Sequence, residues 1–242
     1  MHESRGLGDV YKRQGMSEMR EFTSREALDS VLAGHIAKLL AADILRRGSA
    51  SLAVSGGSTP KGLFAQLSNS DLDWSRVWIT LVDERWVEPD HDDSNERLVR
   101  ENLLQNRASM ANFIGLKSPG NDAAAGLAAT ATQLAPLPRP FTCVVLGMGG
   151  DGHTASWFPQ ARNLAELVDP ETSSELGATD PVTAPHQRIT FTLPAVLGSG
   201  EIIIHITGEE KRAVLAKAKD KHYPIAVITE QKCTPACIWW AP

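Results

Sequence analysis

The sequence predicts a single α/β domain, and three observations predict it. Short, mostly apolar runs lie at 51–54, 77–82 and 141–146 and read as strands. Each is followed by a turn or polar loop and then by helix-starting residues, the alternation of an α/β sheet. The 242 residues suffice for one sizeable core. No internal repeat or linker divides them.

The elements follow in order. Residues 24–47 place Leu28, Val31, Leu32, Leu39, Leu40 and Ile44 at helical spacing, with Ser24 as N-cap and Gly48 as the stop. A strand over 51–54 leads directly into Ser55, Gly56, Gly57, Ser58, Thr59 and Pro60. Thr59 is placed to cap a helix over 60–67, with Pro60 at its first position. The strand VWITLV (77–82) ends in Asp83, Glu84 and Arg85, a possible mutual salt bridge, and Ser94 caps a helix over 95–104. Residues 113–116 suggest a strand, and 122–135 an alanine-rich helix closed by Pro136, Pro138 and Pro140. The strand over 141–146 enters a turn containing Gly147, Gly149, Gly150 and Gly152, after which Thr154 and Ser156 are expected to open a helix. Residues 167–185, rich in Ser, Thr, Pro and acids, read as a long surface loop. A strand over 188–193, a helical turn over 194–197, a strand over 201–207 and a helix from Gly208 to Lys219 follow. Segments 226–229 and 236–240 finish the chain.

A composition of 42% hydrophobic and 22% charged residues is that of a soluble globular protein. The net charge of −5 argues against broad binding to nucleic acid or to an anionic membrane. An anionic substrate would need a local cluster of Arg, Lys and helix N-termini. No apolar run is long enough to span a membrane. Three cysteines form neither a disulfide framework nor a zinc pattern, so free thiols are expected and no metal site. Residues 1–15 read as a leader, leaving 16–242 as the domain with Met16 as its natural start.

Two turns carry the chemistry. His153 and Asp151 sit inside the glycine turn that follows 141–146, and ligands of parallel sheets bind beyond the carboxyl ends of strands. A plain tight connection is the bland alternative. The spacing of Gly147, Gly149 and Gly152 also matches a dinucleotide fingerprint, but Asp169 and Glu171 end no strand pattern, so nicotinamide binding is not expected. Ser55–Thr59 make a strand, glycine turn and helix start, the geometry that holds phosphate. Arg85 at a strand end, and Lys211 in a first helical turn where the dipole disfavours cations, suggest a bound anion.

These pieces resemble the 6-phosphogluconolactonases of the glucosamine-6-phosphate isomerase/lactonase superfamily. The carriers are LAVSGGSTP (52–60), VDERWV (82–87) with DDSNERLVRENLL after it, LGMGGDGHTASWFP (146–159), RITFTLP (188–194) and TGEEKRAVL (207–215). The resemblance implies a Rossmann-like, mostly parallel sheet with helices on both faces. It implies hydrolysis of a phosphosugar lactone in the pentose phosphate pathway by a cytoplasmic enzyme, monomer or weak homodimer, without cofactor or catalytic metal. His153 would then be the general base, with Asp151 orienting it. Ser55, Gly56, Gly57, Ser58, Thr59, Asp83, Arg85, Asn95, Gly149, Gly150, Arg188 and Lys211 would bind substrate, and N–H groups of the 149–152 turn would meet the oxyanion. Trp157 and the Trp239-Trp240 ending depart from the family pattern.

Two other functions are weighed. Isomerase-deaminases resemble this chain at DGH, but they place a glutamate five residues after the histidine, where this sequence has Phe158. A non-catalytic sugar-phosphate sensor would have no evident need for both His153 and Asp151.

Overall fold

The computed structural model describes residues 17–242; the leader at 1–15 and a start at Met16 lie outside the described residues. The chain runs β1 (Glu18–Glu21), α1 (Arg25–Arg47), β2 (Ala50–Val54), α2 (Lys61–Leu67), β3 (Val77–Leu81), β4 (Asp83–Arg85) and α3 (Asn95–Asn102). It continues through β5 (Asn112–Ile114), α4 (Ala123–Gln133), β6 (Cys143–Leu146), α5 (Leu164–Leu167), β7 (Leu176–Thr179) and β8 (Arg188–Phe191). It ends with α6 (Leu193–Leu197), β9 (Ile202–Thr207), α7 (Glu209–Ala216), α8 (Ala226–Thr229) and β10 (Ala236–Ala241).

Seven strands form a parallel sheet in the order β1-β10-β9-β6-β2-β3-β5. Every residue of β2 and β6 is buried, which is why these strands read as continuous apolar runs. α1 lays Leu28, Leu32, Ile36 and Leu40, all fully buried, on this core. Truncating one such leucine costs about 2–5 kcal/mol. Ser24 Oγ accepts from Ala27 N at the start of α1, and Gly48 (φ 84°) ends it, as the sequence predicts. From β2 the chain moves outward through β3 and β5, then returns to the other side of β2 at β6. The β2–β6 boundary is therefore a topological switch point, where open sheets of this type hold ligands.

The structure corrects the sequence reading in four places. Residues 83–85 do not merely trail the parallel strand; they form β4, which pairs antiparallel with β8 in a second sheet ordered β4-β8-β7. β7 lies inside the segment expected to be loop, held by its pairing with β8 rather than by its own LGAT pattern. Thr59 caps nothing: α2 begins at Lys61 with Pro60 in the cap position and no side-chain cap. No helix follows the glycine turn. Thr154 Oγ1 instead donates to Gly147 O at 2.7 Å and Ser156 Oγ to Asp83 Oδ2 at 2.5 Å. Pro159 also disfavours helix at its predecessor. Trp157, Trp239 and Trp240 pack in the core.

Candidate active site

The loops after β2 and β6, the ends of β4 and β9, and the first turns of α3 and α7 enclose a cavity of about 290 Å³. It is lined by Ser55, Gly56, Gly57, Ser58, Thr59, Asp83, Arg85, Asn95, Gly149, His153, Arg188 and Lys211, twelve of the residues singled out in the sequence. Gly150 and Asp151 stand outside the lining. Met148, Thr154, Ala155, His205 and Thr207 line it without having been anticipated.

His153 is held from three sides. Its Nδ1 lies 2.5 Å from Asp151 Oδ1, and the same oxygen accepts the His153 backbone N–H at 3.1 Å. Burial works to raise the Asp151 carboxyl, but these bonds prevail and hold it below the usual carboxylate range. An ionised Asp151 can only accept, so Nδ1 carries the proton and Nε2 is left as the basic nitrogen. Phe158 stacks on the imidazole with centroids 4.2 Å apart and planes 25° from parallel. Gly149 closes the arrangement underneath: a Cβ there would lie 2.1 Å from His153 Cε1 and 2.2 Å from Nδ1. The His153 ring can pack on this turn only because residue 149 has no side chain.

Two N–H groups of the turn are spent internally, Gly149 N on His153 O and Gly152 N on Gly149 O. By contrast, the N–H groups of Gly56, Gly57, Ser58 and Thr59 donate to no protein acceptor among the described residues. Gly56 lies against the Asn95 amide so closely that a Cβ would come within 2.0 Å of Oδ1. Asn95 Nδ2 in turn donates to Asp83 O at 3.0 Å.

The charges are arranged against stability. Arg85 and Arg188 are directly opposed partners in the β4–β8 ladder, a like-charge pairing that costs free energy. Arg85 donates to Asp93 O and Arg188 to Pro185 O, while Lys211 Nζ donates to Met148 O. Among the described residues none of these three cations forms an ion pair, whereas Arg97, Arg100, Arg107 and Arg212 all do. Burial lowers the Arg188 pKa from its ordinary value, and Arg85 adds to the effect against the pull of Asp83. Its Nε is buried without a hydrogen-bond partner. Such a cluster attracts an anion with several acceptor oxygens.

Glu84 is the residue that sequence reasoning misplaced. It makes no bridge to Arg85. Its carboxyl accepts the backbone N–H groups of Arg85, Asn95 and Glu96 at 2.8 Å each, tying β4 to the start of α3. Burial pushes this carboxyl up to about 7 despite those donors. Nothing in the local sequence signals partners eleven and twelve residues away.

Fold and cavity together define an α/β protein that joins, at the strand ends, a histidine–carboxylate pair to a cluster of three cations. Residues 23–239 match the model of the glucosamine-6-phosphate isomerases/6-phosphogluconolactonase family. The chain is 43% identical over 230 residues to a 6-phosphogluconolactonase of Rhizobium meliloti, covering 93% of this chain and 99% of the relative. It is 42% identical over 223 residues to one of Mesorhizobium japonicum, covering 91% and 94%. The crystal structure of a 6-phosphogluconolactonase from Shewanella baltica superposes with a TM-score of 0.91 at 48% identity, covering 94% of this chain and all of that one. The chain belongs to the glucosamine-6-phosphate isomerase/6-phosphogluconolactonase family.

Proposed function

We propose that this protein is a lactone hydrolase that opens 6-phospho-D-glucono-1,5-lactone to 6-phosphogluconate, the activity its relatives' names give, and that it serves the oxidative pentose phosphate pathway. The observation that carries the reading is the pairing of the His153–Asp151 unit with three cations that form no ion pair among the described residues. His153 Nε2 takes a proton from water as its oxygen adds to the lactone carbonyl carbon. The addition places negative charge on the carbonyl oxygen, and the free N–H groups of Gly56–Thr59 are the donors available to it. Of the 149–152 turn, expected from the sequence to do this, Gly149 N and Gly152 N are already engaged, and Gly150 N and Asp151 N remain as further donors. Collapse of the adduct breaks the bond from the carbonyl carbon to the ring oxygen, which leaves with the proton held by His153. Asp151 stabilises the imidazolium in between. Lys211 with Arg85 and Arg188 grips the phosphate, so that binding energy positions the carbonyl against the water.

One chain supplies every group in this scheme, in keeping with a monomer or weak homodimer. Among the described residues no helix is long and apolar enough to cross a membrane. The cytoplasmic location we propose rests on the likeness to metabolic 6-phosphogluconolactonases. Isomerisation with deamination lacks its acid, because the residue stacked on His153 is Phe158. The test is hydrolysis of freshly made lactone, corrected for spontaneous opening. No acceleration over the spontaneous rate, with tight binding of 6-phosphogluconate, would mark the protein as a sensor.

A further inference from the structure

Outside the cavity, the described residues bring together His91, Asp93 and His186, each offering a ligand atom within 4.8 Å of the others. None has a part in the hydrolysis above. His91 and Asp93 lie on the loop between β4 and α3, and His186 stands just ahead of β8. The antiparallel β4–β8 pairing brings these loops side by side although the sequence holds them far apart. His186 Nε2 meets Asp93 Oδ2 at 2.7 Å, and the two imidazoles stand edge to face with centroids 5.5 Å apart. His186 keeps its place in a left-handed backbone conformation, φ 67°, that a non-glycine residue seldom adopts.

We propose that His91, Asp93 and His186 form a site for a borderline divalent transition cation of the Zn²⁺, Ni²⁺ or Cu²⁺ class, bridging two loops at the rim of the cavity. Two imidazoles and one carboxylate are the donor set such ions prefer, whereas Mg²⁺ and Ca²⁺ select oxygen. An isolated surface His–Asp pair would account for His186 and Asp93 alone. The third group is what makes a ligand set. Asp93 N donates to His91 Nδ1 at 3.0 Å, so the neutral ring carries its proton on Nε2. A cation takes the Nδ1 lone pair in place of that N–H, and the loop tightens around the ion. Three protein ligands leave room for water, the form of an open rather than a sealed site. The same segment supports the cavity, because Asp93 O accepts from Arg85 Nη1 at 2.7 Å. The bound cation thus steadies the residue that holds a cavity arginine.

Calorimetric titration of the chelator-treated full chain with Zn²⁺ tests the site, with Co²⁺ absorption and Zn²⁺-dependent melting as second readouts. One ion per chain is expected, together with a rise in melting temperature. Loss of a single outer partner of a metal ligand already weakens binding about 10–100-fold. His186→Asn and His91→Asn should each weaken it by at least about tenfold and abolish the rise in melting temperature. His153→Ala should bind the ion as the parent does. Because the readout is binding, it is independent of whether the protein hydrolyses a lactone. No stoichiometric binding, undiminished binding in both loop variants, or binding lost in His153→Ala would each overturn the proposal.

Discussion

Replacing Gly149 by alanine isolates the geometry of the base from its chemistry. The substituted Cβ would sit 2.1 Å from His153 Cε1, 2.2 Å from Nδ1 and 2.8 Å from Asp151 Oδ1, where ordinary contact begins at 3.4 Å. The ring must therefore withdraw by more than about 1 Å, and Phe158, stacked at 4.2 Å, stands in its way. A misplacement of ~1 Å costs roughly 10²-fold in rate, or about 2.7 kcal/mol of transition-state stabilisation. Gly149 is not among the positive-φ glycines, so alanine adds no backbone strain. The expected result is a kcat lower by about two orders of magnitude, with a near-normal KM and unchanged affinity for 6-phosphogluconate. Gly34→Ala, on the exposed side of α1 with nothing within 4 Å of its Cβ, serves as the control and should hydrolyse normally. Steady-state kinetics and product titration on folded Gly149→Ala decide the matter. A kcat close to that of the parent would refute the reasoning that a fixed imidazole position drives the reaction.

Three further outcomes are expected. His153→Ala should lose roughly 10²–10⁴-fold in turnover while still binding 6-phosphogluconate; normal turnover in the folded variant would remove it from the role of base. Arg85→Ala and Lys211→Ala should raise KM for the phosphorylated lactone about ten- to a hundredfold and leave unphosphorylated gluconolactone little changed. Equal losses on both substrates would assign these cations to the fold. Glu84 should make stability fall as pH rises. Between the ordinary carboxyl value of 4.5 and about 7, the folded chain keeps a proton that the unfolded chain has released. The loss across that window is about 3 kcal/mol. Urea unfolding at several pH values should show it in the parent and not in Glu84→Gln, and parallel profiles would refute it.

The parallel sheet was legible wherever an element carries its own cause. α1 has leucines at helical spacing, a serine that caps and a glycine that stops it. β6 is apolar throughout because both its faces are covered. β1 and β7 carry no such signal. The residues of β1, Glu-Met-Arg-Glu, are a strand because β10 pairs with them, and β7 owes its strand to β8. The site divides in the same way. His153, Asp151 and Arg85 stood out by residue type at strand ends and Lys211 by its place in a first helical turn, whereas Arg188 came only with the family resemblance. Glu84 did not stand out, since its partners are backbone groups of a later helix. Phe158 was read as the absence of an acid, whereas it is also the support of the histidine ring.

The second sheet explains how one cavity can both bind a dianion and hydrolyse an ester. At the switch point of the parallel sheet, the loops after β2 and β6 contribute backbone donors and the His153–Asp151 pair. The positive charge comes from elsewhere: Arg85 and Arg188 from the β4–β8 pair, and Lys211 from α7. Opposing two arginines across one ladder weakens that pair, and burial of the Arg188 guanidinium weakens it further. Glu84, fastening β4 to α3 through the backbone N–H groups of Asn95 and Glu96, holds the unfavourable geometry in place. Under the proposed phosphate grip, an anion set among these cations relieves that repulsion, and a lactone without the phosphate does not.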